Sequence, residues 1–261
     1  MISLLLILLP LLTGLAAFFI KDEKLARTWA VLASFATLTI AILSLCCMND
    51  TKSLNYHCEW LPSLGASFSL KMDGVAQLLC LLNTIAYPLV FIAGWDKTYK
   101  NAKNFFALML LAQAGIMGVF LAADALLFYF FWELALIPMY FLCSQWGGEK
   151  RVAVTFKFFI YTFIGSLLML ISILYLYGQT PDHSFSIESF YNLKLTSKQQ
   201  SIPFWLMFVA FAVKMPIFPV HTWQPDTYEQ APTSTTMILS GVMVKMGVFG
   251  LIRWLFPIFS T

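Results

Sequence analysis

The sequence predicts an all-α fold, a polytopic transmembrane bundle of about eight helices, one of them broken. Three observations predict it. Of 261 residues, 60% are hydrophobic and 11% charged, against roughly 25% charged in an ordinary soluble domain. The apolar residues, with 25 Phe and 8 Trp among them, fall in long blocks without the period-2 alternation of a lipid-facing barrel strand. Inside one block, Lys214 is followed by Pro216 and Pro219. Each proline removes an amide donor and frees a carbonyl one turn back, so the helix breaks there.

A span needs about 20 largely apolar residues to cross a hydrocarbon core of roughly 30 Å. Eight stretches qualify, near 2–20, 29–47, 74–95, 105–122, 125–143, 154–177, 203–220 and 235–256. The first has the length of a secretory signal but no basic n-region, and Lys21, Lys24 and Arg27 follow it, so it is read as a retained helix. The second runs on from those charges, the third follows Asp73, and the fifth carries Glu133 within FYFFWELALIPMYF. The seventh holds the lysine and the prolines, and the eighth carries Lys245 among Ser240, Gly241, Gly247 and Gly250.

Charge sets an expected orientation. With Met1 outside, the first, third and fifth connections hold Lys21, Lys24, Arg27, Lys97, Lys100, Lys103, Lys150 and Arg151, with Lys157 one turn into a helix on the same side. The outer side receives Lys52, Lys71, Lys194, Lys198 and Arg253. That asymmetry favours an outside N-terminus. The connection from His221 to Ser234 breaks the rule, with Asp226 and Glu229 and no Lys or Arg. A segment that folds back between helices, and is not a free loop, accounts for it.

Several function classes drop out. The net charge of +3 is spread over loops, which indicates neither a nucleic-acid surface nor a polybasic lipid anchor. Cys46, Cys47, Cys58, Cys80 and Cys143 contain no C-x-x-C pair and form no ligand cluster with the three histidines, and are read as packing residues. There is no P-loop and no strand–glycine–helix fingerprint, so the chain is expected to bind no nucleotide.

Glu133, Lys214 and Lys245 are ionisable groups inside predicted spans. Insertion scales place such a group at about 2.5 to 3.5 kcal/mol, so three cost roughly 8 to 10 kcal/mol. A native fold is stable by only about 5 to 15 kcal/mol. These side chains must therefore face the bundle interior, pair, or meet water. One reading is a structural ion pair, Glu133 with Lys214; the other is a proton path. Broken helices at membrane depth recur where transporters handle ions. Around Lys245 the small residues permit close helix approach or leave room for water. His221, at the end of the broken helix, either exchanges protons near neutral pH or only satisfies freed carbonyls.

The stretch AFAVKMPIFPVHTWQPDTYEQAPTSTTMILSGVMVKMGVFGLIRW resembles the most recognisable segment of the proton-translocating membrane subunits of NADH:quinone oxidoreductase. Lys214, Pro216, Pro219, His221, Trp223, Pro225 and Asp226 match that family's pattern, as do Ala231, Pro232 and Thr233, then Gly241, Val242, Lys245, Gly247, Gly250 and Arg253. Gln224, Thr227, Tyr228 and Gln230 depart from it. FYFFWELALIPMYFL is similar to the family's glutamate helix, FSLKMDGVAQLLCLLNTIAYPL to its third span, and KMGVFGLIRW to the M branch.

The resemblance implies a division into residues 1–104, three N-terminal helices, and 105–261, the first five-helix half of an antiporter-like proton channel. It implies that Glu133 and Lys214 form the ion pair of the half-channel, Lys245 relays toward the membrane centre, and His221 lies near the inner mouth. It implies a subunit of a redox-driven translocase in a bacterial inner membrane, with other membrane subunits and lipid as partners. Flavin, iron-sulfur clusters and quinone are expected in other subunits, with no cofactor here. Members carry a second, inverted set of five helices, so the resemblance implies a chain cut short after the first. Two alternatives stand beside this: a subunit of a multisubunit Na+/H+ antiporter or membrane-bound hydrogenase, and a non-conducting structural remnant.

Overall fold

The computed structural model describes residues 1–46 and 51–259, without the side chains of 51 and 52. Cys47, Thr261 and the Lys52 side chain therefore lie outside the described residues. In chain order the elements are α1 (Ile2–Ala17), α2 (Glu23–Cys46), α3 (Thr51–Leu54), β1 (Tyr56–Leu61), β2 (Ala66–Leu70), α4 (Gly74–Ala93), α5 (Ala102–Leu121), α6 (Ala125–Trp146), α7 (Arg151–Gln179), α8 (Ile187–Tyr191), α9 (Ser197–Lys214), α10 (Trp223–Gln230) and α11 (Thr233–Ile258).

Six of these, α2, α4, α5, α6, α7 and α11, are long and apolar enough to cross a membrane. Helix α1 has 16 residues, about 24 Å at 1.5 Å per residue, short of a hydrocarbon core of about 30 Å. Helix α9 has 18 residues and mixes Lys198, Gln199 and Gln200 with its apolar run. The expected span over 203–220 is thus corrected. The helix begins earlier, at Ser197, under a capping box of Thr196 and Gln199, and stops at Lys214.

The all-α expectation also needs correction, because β1 and β2 pair as an antiparallel hairpin with Tyr56 opposite Leu70 and Cys58 opposite Phe68. The signal was in the sequence as a short alternation, Tyr56, Cys58 and Trp60 against His57 and Glu59, closed by Pro62 and Gly65. Asp124 fastens this hairpin to the bundle. Its buried carboxylate accepts from Ser67 N at 2.8 Å and caps α6 through Leu126 N at 3.0 Å and Leu127 N at 3.1 Å. At the same end Lys71 pairs with Glu188 at 3.1 Å. Burial opposes ionisation of Glu188, but hydrogen bonds from Ser186 and Lys71 outweigh it and hold the carboxyl below its ordinary value.

Helix α5 is the centre of the bundle, buried on nearly every face and packed against α1, α2, α4 and α6. A helix apolar all round is stable only when enclosed in this way. It approaches α6 closely: a Cβ on Gly115 would stand 2.7 Å from the Ala135 backbone nitrogen. Helix α7 lies between α6 and α9, and α10 lies along α7. Leu32 and Leu43 on α2, Leu78 and Leu89 on α4, and Phe156 and Ile171 on α7 point outward, an apolar exterior suited to lipid.

Candidate functional site

Lys214 is the last residue of α9 and is only 2% exposed. The break is local in origin. Pro216 has no amide to give, so the Ala212 carbonyl is taken by Ile217 N at 2.9 Å. The Val213 carbonyl, also left open, accepts from the Trp223 indole at 2.9 Å. Trp223 is buried and packs on Phe158 of α7, ring centres 5.1 Å apart. Phe158, Trp223, Leu239, Met243 and Val244 line a narrow space beside Lys214.

The Lys214 ammonium lies 5.4 Å from the centre of the Trp132 ring and makes no hydrogen bond among the described residues. A cation held over an aromatic face keeps part of the stabilisation it loses on leaving water. Glu133, one residue on from Trp132, points toward α7, where the Ser166 hydroxyl stands beside it. One of its oxygens is buried without a partner among the described residues. Glu133 and Lys214 feel each other's charge but do not come within the 4.0 Å of an ion pair. The expected direct pair is corrected accordingly: one residue of offset along α6 puts Trp132 against the lysine and turns the carboxylate toward Ser166.

Lys245 occupies α11, which is regular only in part. Leu239–Met243 and Leu251–Leu255 form wide π turns, and single π turns inside helices often mark functional sites. The first loosens the ladder beneath Lys245, whose ammonium folds back to the Ser240 carbonyl at 2.9 Å. The glycines divide the two uses open to them. Gly241 has open space around it, whereas a Cβ on Gly247 would meet Met215 Cγ at 2.5 Å and Phe211 O at 2.9 Å. Gly247 therefore lets α11 touch α9 at the level of the break. His221 lies in the turn after the break, with its ring 5.7 Å from that of Phe218 and a buried, unpartnered Nδ1.

The structure thus gathers Lys214, Trp132, Phe158, Trp223 and α11, with Glu133 next to Trp132 along α6 and His221 in the turn that follows the break. Trp132, Phe158 and Ser166 carried no sequence signal as site residues. Trp223 stood within the matched motif, and its indole N–H next to freed carbonyls was the signal available.

Comparison with known proteins gives the same direction. Residues 122–261 match the family described as NADH:quinone oxidoreductase/Mrp antiporter, TM. The chain is 35% identical over 263 residues to F(420)H(2) dehydrogenase subunit M of Methanosarcina mazei, covering 97% of this chain and 53% of that one. It is 40% identical over 211 residues to NADH-quinone oxidoreductase subunit M of Escherichia coli strain K12, covering 77% and 42%. Among solved structures it is similar to a chain of respiratory complex I from Thermus thermophilus with bound NADH, with a TM-score of 0.87, 26% identity, and coverage of 100% and 54%. The chain spans about half the length of the curated relatives it matches.

Proposed function

Because this chain belongs to the NADH:quinone oxidoreductase/Mrp antiporter family of membrane proteins, we propose that it is a membrane subunit of a redox-driven proton translocase. In this reading Glu133, Lys214 and Lys245 carry the protons and His221 lies near the inner mouth. The observation that carries it is Lys214, a lysine sealed from water where a helix breaks. Intramembrane charges of this kind are expensive and mark ion pathways, and half-helix ends supply the polar groups that hold them. The chain's part is proton transfer. Flavin, iron-sulfur and quinone chemistry is assigned to other subunits.

All eight long helices cross the membrane in this reading, α1 and α9 included, with residues 1–104 as one three-helix unit and 105–261 as a five-helix unit. Partners are membrane helices. Met237, Val248, Ile252 and Phe256 leave an apolar face of α11 exposed, and Gly241 and Lys245 lie within that stretch. The relatives include dehydrogenases for different electron donors, so the donor is set elsewhere in the complex. The family description also names Mrp antiporters, which favours Na+/H+ exchange as the second reading.

Lys245→Met tests the relay. Methionine has similar length and carries no proton, and proton relay requires a group whose protonation changes. In the assembled complex the variant should retain part of its electron transfer and lose proton translocation; full translocation counts against the relay, and sodium-dependent flux favours the exchanger. Orientation is tested separately. A cysteine placed at position 100 in a bacterial inner membrane should resist an impermeant thiol reagent added outside intact cells, as Lys and Arg asymmetry requires. Rapid labelling there would reverse the orientation.

A further inference from the structure

We propose that Lys157, paired with Asp226, is a positioning residue that latches Trp223 over Lys214 and so keeps water from Lys214. The assignment rests on Lys214 being a proton-carrying group, and it concerns how that group is reached.

The latch is built from one face of α7. Lys157 Nζ lies 2.7 Å from Asp226 Oδ2 and donates to the Thr222 carbonyl at 2.9 Å. One turn on, the Tyr161 hydroxyl shares a 2.8 Å hydrogen bond with the Thr222 hydroxyl. Residues 157 and 161 are i and i+4 and lie one above the other on a helix, so both grip the same short segment, Thr222 to Asp226. Between those grips the two rings meet. Phe158 follows Lys157, Trp223 follows Thr222, and their centres are 5.1 Å apart.

Those rings wall the space beside Lys214, which is too narrow for a water molecule. Trp223 is held from its other side by the Val213 carbonyl, the residue before Lys214. Trp223 therefore has two attachments: one to the end of the broken helix, and one to α7 through its neighbours. Within the second, the ion pair is the loose part. Both partners of the ion pair are roughly 40% exposed, and exposed pairs of this kind hold only loosely. A seal whose closing contact is weak and wet can open without unfolding the bundle, and local openings draw on such contacts. Sealing lets Lys214 hold its charge state, and opening gives it a route to water.

The test reads access directly. In chains carrying Lys214→Cys, assembled in membrane fragments open on both faces, a small water-soluble methanethiosulfonate is applied and labelling is followed peptide by peptide. Buried Cys80 and Cys143 serve as internal controls. Labelling at position 214 should be slow with Lys157 present, and about fivefold faster in Lys157→Met and Asp226→Asn, the factor a half-exposed pair supplies to a local opening. Lys157→Arg should restore slow labelling, because a guanidinium still reaches the carboxylate. Equal rates with and without the pair overturn the latch. Faster labelling of Cys80 and Cys143 alongside position 214 overturns it too, since the pair would then hold the fold and not a seal. Neither result depends on whether the complex translocates protons, so the latch and the proposed function fail independently.

Discussion

In Lys214→Met the chain is expected to fold as stably as the native protein, or more so, while proton translocation is lost. The native lysine is 2% exposed and its ammonium has no hydrogen-bond partner among the described residues. Placing a charge at that depth costs about 2.5 to 3.5 kcal/mol on insertion scales. The Trp132 face at 5.4 Å returns about 0.5 to 2 kcal/mol, and the distant Glu133 contributes through a gap wider than an ion pair. Before the share of Glu133, the balance is unfavourable by about 0.5 to 3 kcal/mol. Methionine is flexible, fills the same volume and packs well against an aromatic ring, so it removes that cost without opening a cavity. Thermal unfolding of the purified complex should show an equal or higher midpoint. A clear drop would mean that Lys214 is retained as a structural counter-charge, and would favour the non-conducting reading.

Gly247→Leu is expected to have the largest structural effect. The first side-chain atom would fall 2.5 Å from Met215 Cγ and 2.9 Å from the Phe211 carbonyl oxygen. The methionine can move aside, but the carbonyl belongs to the backbone of α9 and cannot. Overpacking of a filled interior costs about 1 to 3 kcal/mol, and more where backbone must shift. Helix α11 would be levered off α9 at the level of the break, and the chain should fail to assemble. Gly241→Leu is the matched comparison, because Gly241 has open space around it, and it should assemble. The amount of each variant in the assembled complex, read on a native gel, decides the point; equal amounts would mean that the two helices do not touch there.

Much of the fold was legible because each long helix is written as one apolar block: α1, α4, α5, α6, α7 and α11 lie within about three residues of the expected stretches, whereas α2 begins at Glu23 and not at 29, and α9 runs over Ser197–Lys214 and not 203–220. The break was legible for the same kind of reason: Pro216 has no amide, so the regular helical hydrogen-bond ladder cannot continue through it whatever surrounds it. What escaped depended on through-space neighbours. The hairpin hid because its alternation is only five residues long and lies between charged residues, within a gap that reads as polar. The separation between Glu133 and Lys214 was not legible, because sequence gives the depth of Glu133 but not its direction around α6. The glycines of α11 could not be sorted between contact and space until the position of Phe211 was known. Lys157 and Asp226 are 69 residues apart, and their meeting follows only from the docking of α10 on α7.

Proton flux per electron transferred tests the central claim most directly. In sealed, everted vesicles carrying the assembled complex, dye quenching reports proton uptake while electron transfer is followed in the same sample. The native chain should acidify the vesicle lumen. Lys214→Met should assemble and transfer electrons at a reduced rate with no acidification, since methionine cannot take up or release a proton. Full acidification by Lys214→Met at normal assembly would contradict the account, because protons would then cross without the buried Lys214 side chain.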